Sequence, residues 1–172
     1  MFIFNTATSF FTMLHKSAFL NLRQYGLPLT ESEAMAFSQL DRFLNPGGWT
    51  YQDWQQLEGE YLVCAVGSGN SGKNNFYAGV LLGTAPQAGD VAHLLKVVVE
   101  PELRRQGGAK LLLEFYLVHL RLSGARSVYL EVATDNLNAI SFYRKHGFKD
   151  LRVMKKFYQN GADALSMELV LS

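Results

Sequence analysis

The stretch that decides the fold is Val97-Val98-Val99-Glu100-Pro101-Glu102-Leu103-Arg104-Arg105-Gln106-Gly107-Gly108-Ala109-Lys110-Leu111-Leu112-Leu113. Its β-branched start suits a strand and its leucine-rich end suits a buried helix, so a strand leads through a basic, glycine-bearing turn to a helix N-terminus. The first turn of a helix leaves backbone N–H groups without intrahelical partners, and the macrodipole favours negative charge there. Phosphates sit well at such an end. Gly107 and Gly108 lack a Cβ and would let a pyrophosphate approach the main chain, while Arg104, Arg105 and Lys110 offer charge-assisted donors. On this segment alone, a solvated arginine pair before an ordinary helix start remains open.

Working outward, Thr30 to Leu44 reads as a helix, with Thr30 as N-cap, Glu33 at the capping-box position and Ala34, Phe37, Leu40 and Leu44 at helical spacing. Asn45-Pro46-Gly47-Gly48 is a turn. A short helix over Thr50 to Leu57 comes next, where Trp49, Tyr51 and Trp54 suit core packing better than a substrate wall. Strands are predicted at Tyr61 to Val66, Phe76 to Gly83 and Val91 to Glu100, then a helix from about Arg105 to Leu122 and a strand at Ser127 to Ala133. Asn136 to His146 is a helix ended by Gly147, and two strands lie beyond it at about Lys149 to Tyr158 and Ala164 to Leu171. Phe19 to Arg23 reads as an earlier strand. Residues 1 to 16 fit an added strand, a helix or a partner surface.

The order β-β-β-α-β-α-β-β after an N-terminal helical part implies an α/β fold, a mixed sheet with helices on its faces. A chain of 172 residues with 48% hydrophobic composition is expected to form one domain, residues 1–172, without disulfide or metal staples. The lone Cys64 sits in an apolar run and reads as a small strand residue, which favours a reducing, cytoplasmic setting. A net charge of +1 argues against general nucleic-acid binding. The first residues lack a basic n-region, and no apolar run approaches the ~18 residues of a membrane span. Gly67 to Asn74 imitates a phosphate loop, but Asn74 replaces the Ser or Thr that would meet magnesium, and Asn75 to Leu82 is β-like rather than helical.

Glu131 interrupts the apolar strand Val128-Tyr129-Leu130-Glu131-Val132, where a carboxylate needs a partner, such as a lysine, or a chemical role. Asn136 and Tyr143 stand seven residues apart across the next helix, on one face. Asn136 also suits a plain N-cap, and Tyr143 a core position.

Together, these residues resemble the GNAT superfamily of acyl-CoA-dependent N-acetyltransferases. Arg104 to Ala109 matches its Arg/Gln-x-x-Gly-x-Gly/Ala loop, and Asn136 to Phe148 its Asn-x-x-Ala-x-x-x-Tyr-x-x-x-Gly-Phe run. Tyr129 to Val132, with Lys155 to Tyr158 and Ala162 to Met167, is similar to the protein N-terminal acetyltransferases, especially the bacterial type acting on the N-terminal alanine of a small ribosomal protein. The subgroup's usual acidic residue is absent at Ala162, and Phe157 stands where a Tyr is common. The resemblance implies a mostly antiparallel sheet with a parallel β-α-β crossover at the CoA site and helices on both faces. It also implies direct transfer in a ternary complex with acetyl-CoA as co-substrate and no metal. Arg105 to Lys110, Gln106 to Ala109 among them, would hold the pyrophosphate, and Val97, Val98 and Val99 would pair with the pantetheine arm. Asn136 would bond the CoA, Tyr143 would protonate the leaving thiolate, and Glu131 would take the amine proton. The expected acceptor is a protein N-terminus, with a small-molecule amine as alternative and a non-catalytic acyl-CoA-binding module as a further one. No membrane is expected as partner, and the chain is expected to act as a monomer or homodimer.

Overall fold

The structure is a computed structural model. It describes residues 11–15, 18–25, 27–45, 47–58, 61–68, 77–86, 88–101 and 104–171. Eight strands and four helices succeed one another: β1 (Phe11–His15), β2 (Ala18–Tyr25), α1 (Glu31–Leu44), α2 (Tyr51–Gln55), β3 (Tyr61–Ser68), β4 (Tyr77–Thr84), β5 (Val91–Val99), α3 (Gly108–Ser123), β6 (Ser127–Ala133), α4 (Leu137–Lys145), β7 (Lys149–Met154) and β8 (Ala164–Val170). They fall into two compact units, residues 1–83 with 96–116, and residues 84–95 with 117–172, so β5 and α3 contribute to both.

In the first unit the strand order is β1-β2-β3-β4-β5. The segment before Phe19 therefore includes an added strand: β1 pairs antiparallel with β2, Phe11 opposite Leu22, and β2 pairs antiparallel with β3, Tyr25 opposite Val63. The α1 boundary obeys its sequence signal. Thr30 accepts from the Glu33 amide and Glu33 caps the Thr30 amide at 2.8 Å, which satisfies orphan donors at both ends of the box. Thr50 and Asp53 repeat the device on α2. Phe37 and Trp54 are fully buried, with ring centroids 5.5 Å apart, and Tyr77 stands 4.9 Å from Phe37. Trp54 thus takes the core role expected of it.

Residues 108–116 of α3 bury Leu112, Leu113 and Tyr116 completely. A Cβ at Gly83 would stand 2.4 Å from the Tyr116 hydroxyl, so the strand meets the helix where only glycine leaves room. The helix begins at Gly108, three residues later than its leucine pattern suggests. Arg105 has φ 62° and Gly107 φ 91°, left-handed conformations that do not propagate a right-handed helix.

In the second unit the strand order is β5-β6-β8-β7. β5 and β6 pair in parallel, Val91 opposite Ser127 and His93 opposite Tyr129, with α3 as their crossover in the chain. β8 enters between β6 and β7, antiparallel to both, with Glu131 opposite Ser166. Its core is Ala92, Leu94, Leu120, Val128, Leu130, Ile140, Phe148, Ala164 and Met167. Gly147, with φ 91°, directly follows the C-cap His146 of α4 in the left-handed conformation expected of a C-terminal glycine. The mixed, mostly antiparallel sheet with one parallel β-α-β crossover is the architecture the sequence implied.

Candidate active site

The first unit carries the anion-binding half of the sequence pattern. Val98 and Val99 are buried and Val97 is partly exposed, at the end of β5. The chain leaves the strand with the Glu100 amide bonded to the Ala78 carbonyl at 2.8 Å. Arg104 folds back, donating Nε–H to the Val99 carbonyl at 3.1 Å, so its side chain braces the loop it belongs to. Arg105 and Gln106 are exposed, and the left-handed residues 105 and 107 turn the loop amides. Turns of this kind form concave arrays of N–H groups that suit anions. The first intrahelical bond of α3 runs from the Leu111 amide to the Gly107 carbonyl at 2.8 Å. Gly108, Ala109 and Lys110 hence present amides that the helix itself does not use. Lys110 pairs with Glu114 across an exposed turn, 3.6 Å apart, rather than lying along the loop. Amides arranged in this way could hold an anion.

The second unit holds the candidate chemistry. Glu131 points from mid-β6, and among the described residues its partner is His93 rather than a lysine. His93 Nε2 and Glu131 Oε2 are 2.7 Å apart, with the side chains 25% and 15% exposed. The ring of His93 stacks on Tyr129, centroids 4.2 Å apart and planes 10° from parallel. Its amide donates to Thr84 Oγ1 at 2.8 Å. Side chains two apart on a strand share a face, and partners in register share it too, so His93, Tyr129 and Glu131 line one face of the sheet.

The phenols around Glu131 are held in their protonated form. Burial and then the Glu131 charge push Tyr129 up from the ordinary value, and burial, then Glu131 and Asp135, do the same for Tyr158. Tyr143 is pushed up further by burial, with Tyr158 contributing. Its ring packs on Phe148 at 5.5 Å and on Phe142 at 5.3 Å. A phenol in that state is a hydrogen-bond and proton donor across the neutral range. Asn136 is the N-cap of α4, its Oδ1 accepting from the Ala139 amide at 3.2 Å. The structure thus gives Asn136 the capping role that its sequence context allowed.

His93 and Tyr158 are the residues that sequence reading missed. His93 does carry a signal: it interrupts the apolar run Val91-Ala92-His93-Leu94-Leu95 as Glu131 interrupts its own. The parallel register was needed to show that the two interruptions meet. The side chain of Cys64 and residues 69–74 of the glycine-rich loop lie outside the described residues. Among the described residues no group of three His, Cys, Asp or Glu side chains is placed to hold a metal, and no helix is long and apolar enough to cross a membrane.

Two sequence relatives are an N-alpha-acetyltransferase of Saccharolobus solfataricus, 38% identical over 76 residues, 44% of this chain and 46% of that protein, and the [ribosomal protein bS18]-alanine N-acetyltransferase of Salmonella typhimurium, 33% identical over 86 residues, 48% and 58%. The matches span about half the length of these relatives. The crystal structure of the ribosomal-protein-S18-alanine N-acetyltransferase from Escherichia coli shares the fold, with TM-score 0.73 and 24% identity over 88% of this chain and 94% of that one. Residues 28–148 match the acetyltransferase (GNAT) family, and the chain belongs to that family.

Proposed function

We propose that the chain transfers the acetyl group of acetyl-CoA to a primary amine, a protein or peptide N-terminal α-amine before a small-molecule amine. The observation that carries the reading is Glu131, an interior carboxylate that still reaches solvent, set among protonated phenols in a chain of this family. On this reading the amides of Arg105 to Lys110 bind the CoA pyrophosphate, the Val97 to Val99 edge aligns the pantetheine arm, and Asn136 adds a bond to CoA through its amide.

A primary ammonium loses two protons on becoming an amide nitrogen. Glu131 takes the first, directly or through water, and frees the lone pair that forms the new C–N bond. The C–S bond breaks, Tyr143 gives its proton to the departing sulfur, and the second N–H proton restores the phenol. No covalent enzyme intermediate is required. An α-amine has a pKa of ~8 and a lysine side chain ~10.4, so freeing the lysine amine at neutral pH costs about 3 kcal/mol more. That difference, together with the named activities of the relatives, supports the N-terminal acceptor.

The test is thiol release from acetyl-CoA with a panel of N-terminal peptides, lysine peptides and small amines. Turnover with N-terminal peptides is the expected result, and Tyr143→Phe should lower it with little change in acetyl-CoA affinity. Turnover with small amines alone refutes the acceptor, and acetyl-CoA binding without turnover on any amine refutes the reaction.

A further inference from the structure

We propose that His93 is the positioning residue for Glu131, holding one carboxylate oxygen so that the other faces the acceptor amine. The inference rests on the transferase reading above and deepens it. A glutamate has three side-chain torsions, and a proton acceptor must be held within a narrow range of distance and angle to contribute fully. His93 supplies that restraint at 2.7 Å. With Glu131 ionised the imidazole donates through Nε2–H to Oε2, and Oε1 takes the amine proton.

The donor is itself fixed from two sides. Tyr129 stacks on the ring at 4.2 Å, which sets its plane, and Thr84 holds the His93 amide at 2.8 Å, which sets its strand. Among the described residues, the charged and titratable groups around the pair include Tyr129 in contact with the ring, Tyr158, which the charges of Glu131 and Asp135 both reach, and Glu168 opposite Tyr129 in the register of β8. The pair keeps 25% and 15% of its side-chain surface exposed, so an amine arriving from solvent has access to the carboxylate that His93 holds.

The variants that decide are His93→Phe, which keeps a ring for Tyr129 but loses the donor, and His93→Gln, which keeps a donor at similar reach. His93→Phe is expected to lower kcat on the order of 100-fold, the scale of a misplaced catalytic group, with acetyl-CoA KM and melting temperature unchanged. His93→Gln is expected to recover kcat to within about threefold of wild type, because one donor replaces another. Tyr129→Leu, which frees the ring and leaves the pair intact, gives an intermediate loss and serves if His93→Phe does not fold. Wild-type kcat in His93→Phe overturns the assignment. So does a His93→Gln enzyme as slow as His93→Phe, since the imidazole would then be needed for its own proton. A fall in melting temperature or acetyl-CoA affinity that accounts for the whole rate loss makes the pair structural. Absence of turnover by the wild-type chain on every amine sinks the transferase reading and this assignment together, and is distinct from all of these.

Discussion

Replacing Lys96 with methionine should destabilise the protein far more than the loss of one surface ion pair. Lys96 Nζ lies 2.6 Å from Asp41 Oδ2, and the side chains are 10% and 0% exposed. The same Oδ2 accepts the Trp49 amide at 2.8 Å, the lysine sits 5.2 Å over the Trp49 ring, and Asp41 Oδ1 has no hydrogen-bond partner among the described residues. Lys96 is therefore the counter-charge to a carboxylate sealed from water. Removing one partner of such a pair costs about 3–5 kcal/mol, because the other is left buried and uncompensated. At roughly 2–4 °C per kcal/mol for a chain of this size, Lys96→Met should lower the melting temperature by about 6–20 °C. The double variant Lys96→Met with Asp41→Asn removes both charges and keeps an acceptor for Trp49, so it should lose less than Lys96→Met alone. Thermal melts of the two single variants and the double variant, read as a double-mutant cycle, measure the coupling. A shift under about 2 °C for Lys96→Met, the size expected of an exposed pair, would refute the argument.

Arg105, at φ 62°, occupies a conformation that is strained for a side chain and open to glycine. Arg105→Gly should melt a few degrees above Arg105→Ala, on the order of 1 kcal/mol, while both weaken acetyl-CoA binding equally, as calorimetry would show. Glu131→Gln should lower the titration midpoints of Tyr129 and Tyr158 toward the usual phenol value and leave Tyr143 unmoved, since its causes are burial and Tyr158. A pH titration by NMR of the ring resonances reads all three. The raised phenols also fix a sign: their contribution to stability is complete below the unfolded value of ~10 and is lost as pH rises above it.

What was legible in the sequence was local. The capping box at Thr30 and Glu33 fixed the start of α1, and Asn136 with Gly147 bracketed α4, because each signal is a hydrogen bond or a backbone conformation settled within a few residues. Leucine periodicity puts the start of α3 too early because it says nothing of the left-handed turn at 105 and 107. The insertion of β8 between β6 and β7 and the addition of β1 were beyond reach for another reason: strand pairing depends on register between distant segments. The same holds for the site. Glu131 was visible as a polar residue in an apolar strand, but its partner lay 38 residues earlier and came within reach only because the parallel β5–β6 register sets His93 opposite Tyr129, two residues before Glu131.

Asp41 and Glu131 show how an interior carboxylate declares its use. Both have a basic partner under 3 Å away and both interrupt an apolar surface. Asp41 has no exposed side-chain area, and its partner is a lysine that is itself almost wholly buried. Every group on it is an anchor: a backbone amide from the turn after α1, a lysine from β5, and Gly48, where a Cβ would stand 2.9 Å from the Asp41 carboxyl carbon. Glu131 differs in each respect. It reaches solvent, its partner is an imidazole that is itself partly exposed, and the phenols near it are kept as donors by burial and by its own charge. A carboxylate sealed among anchors serves packing, whereas one that water can reach, beside phenols held as proton donors, is equipped to move a proton.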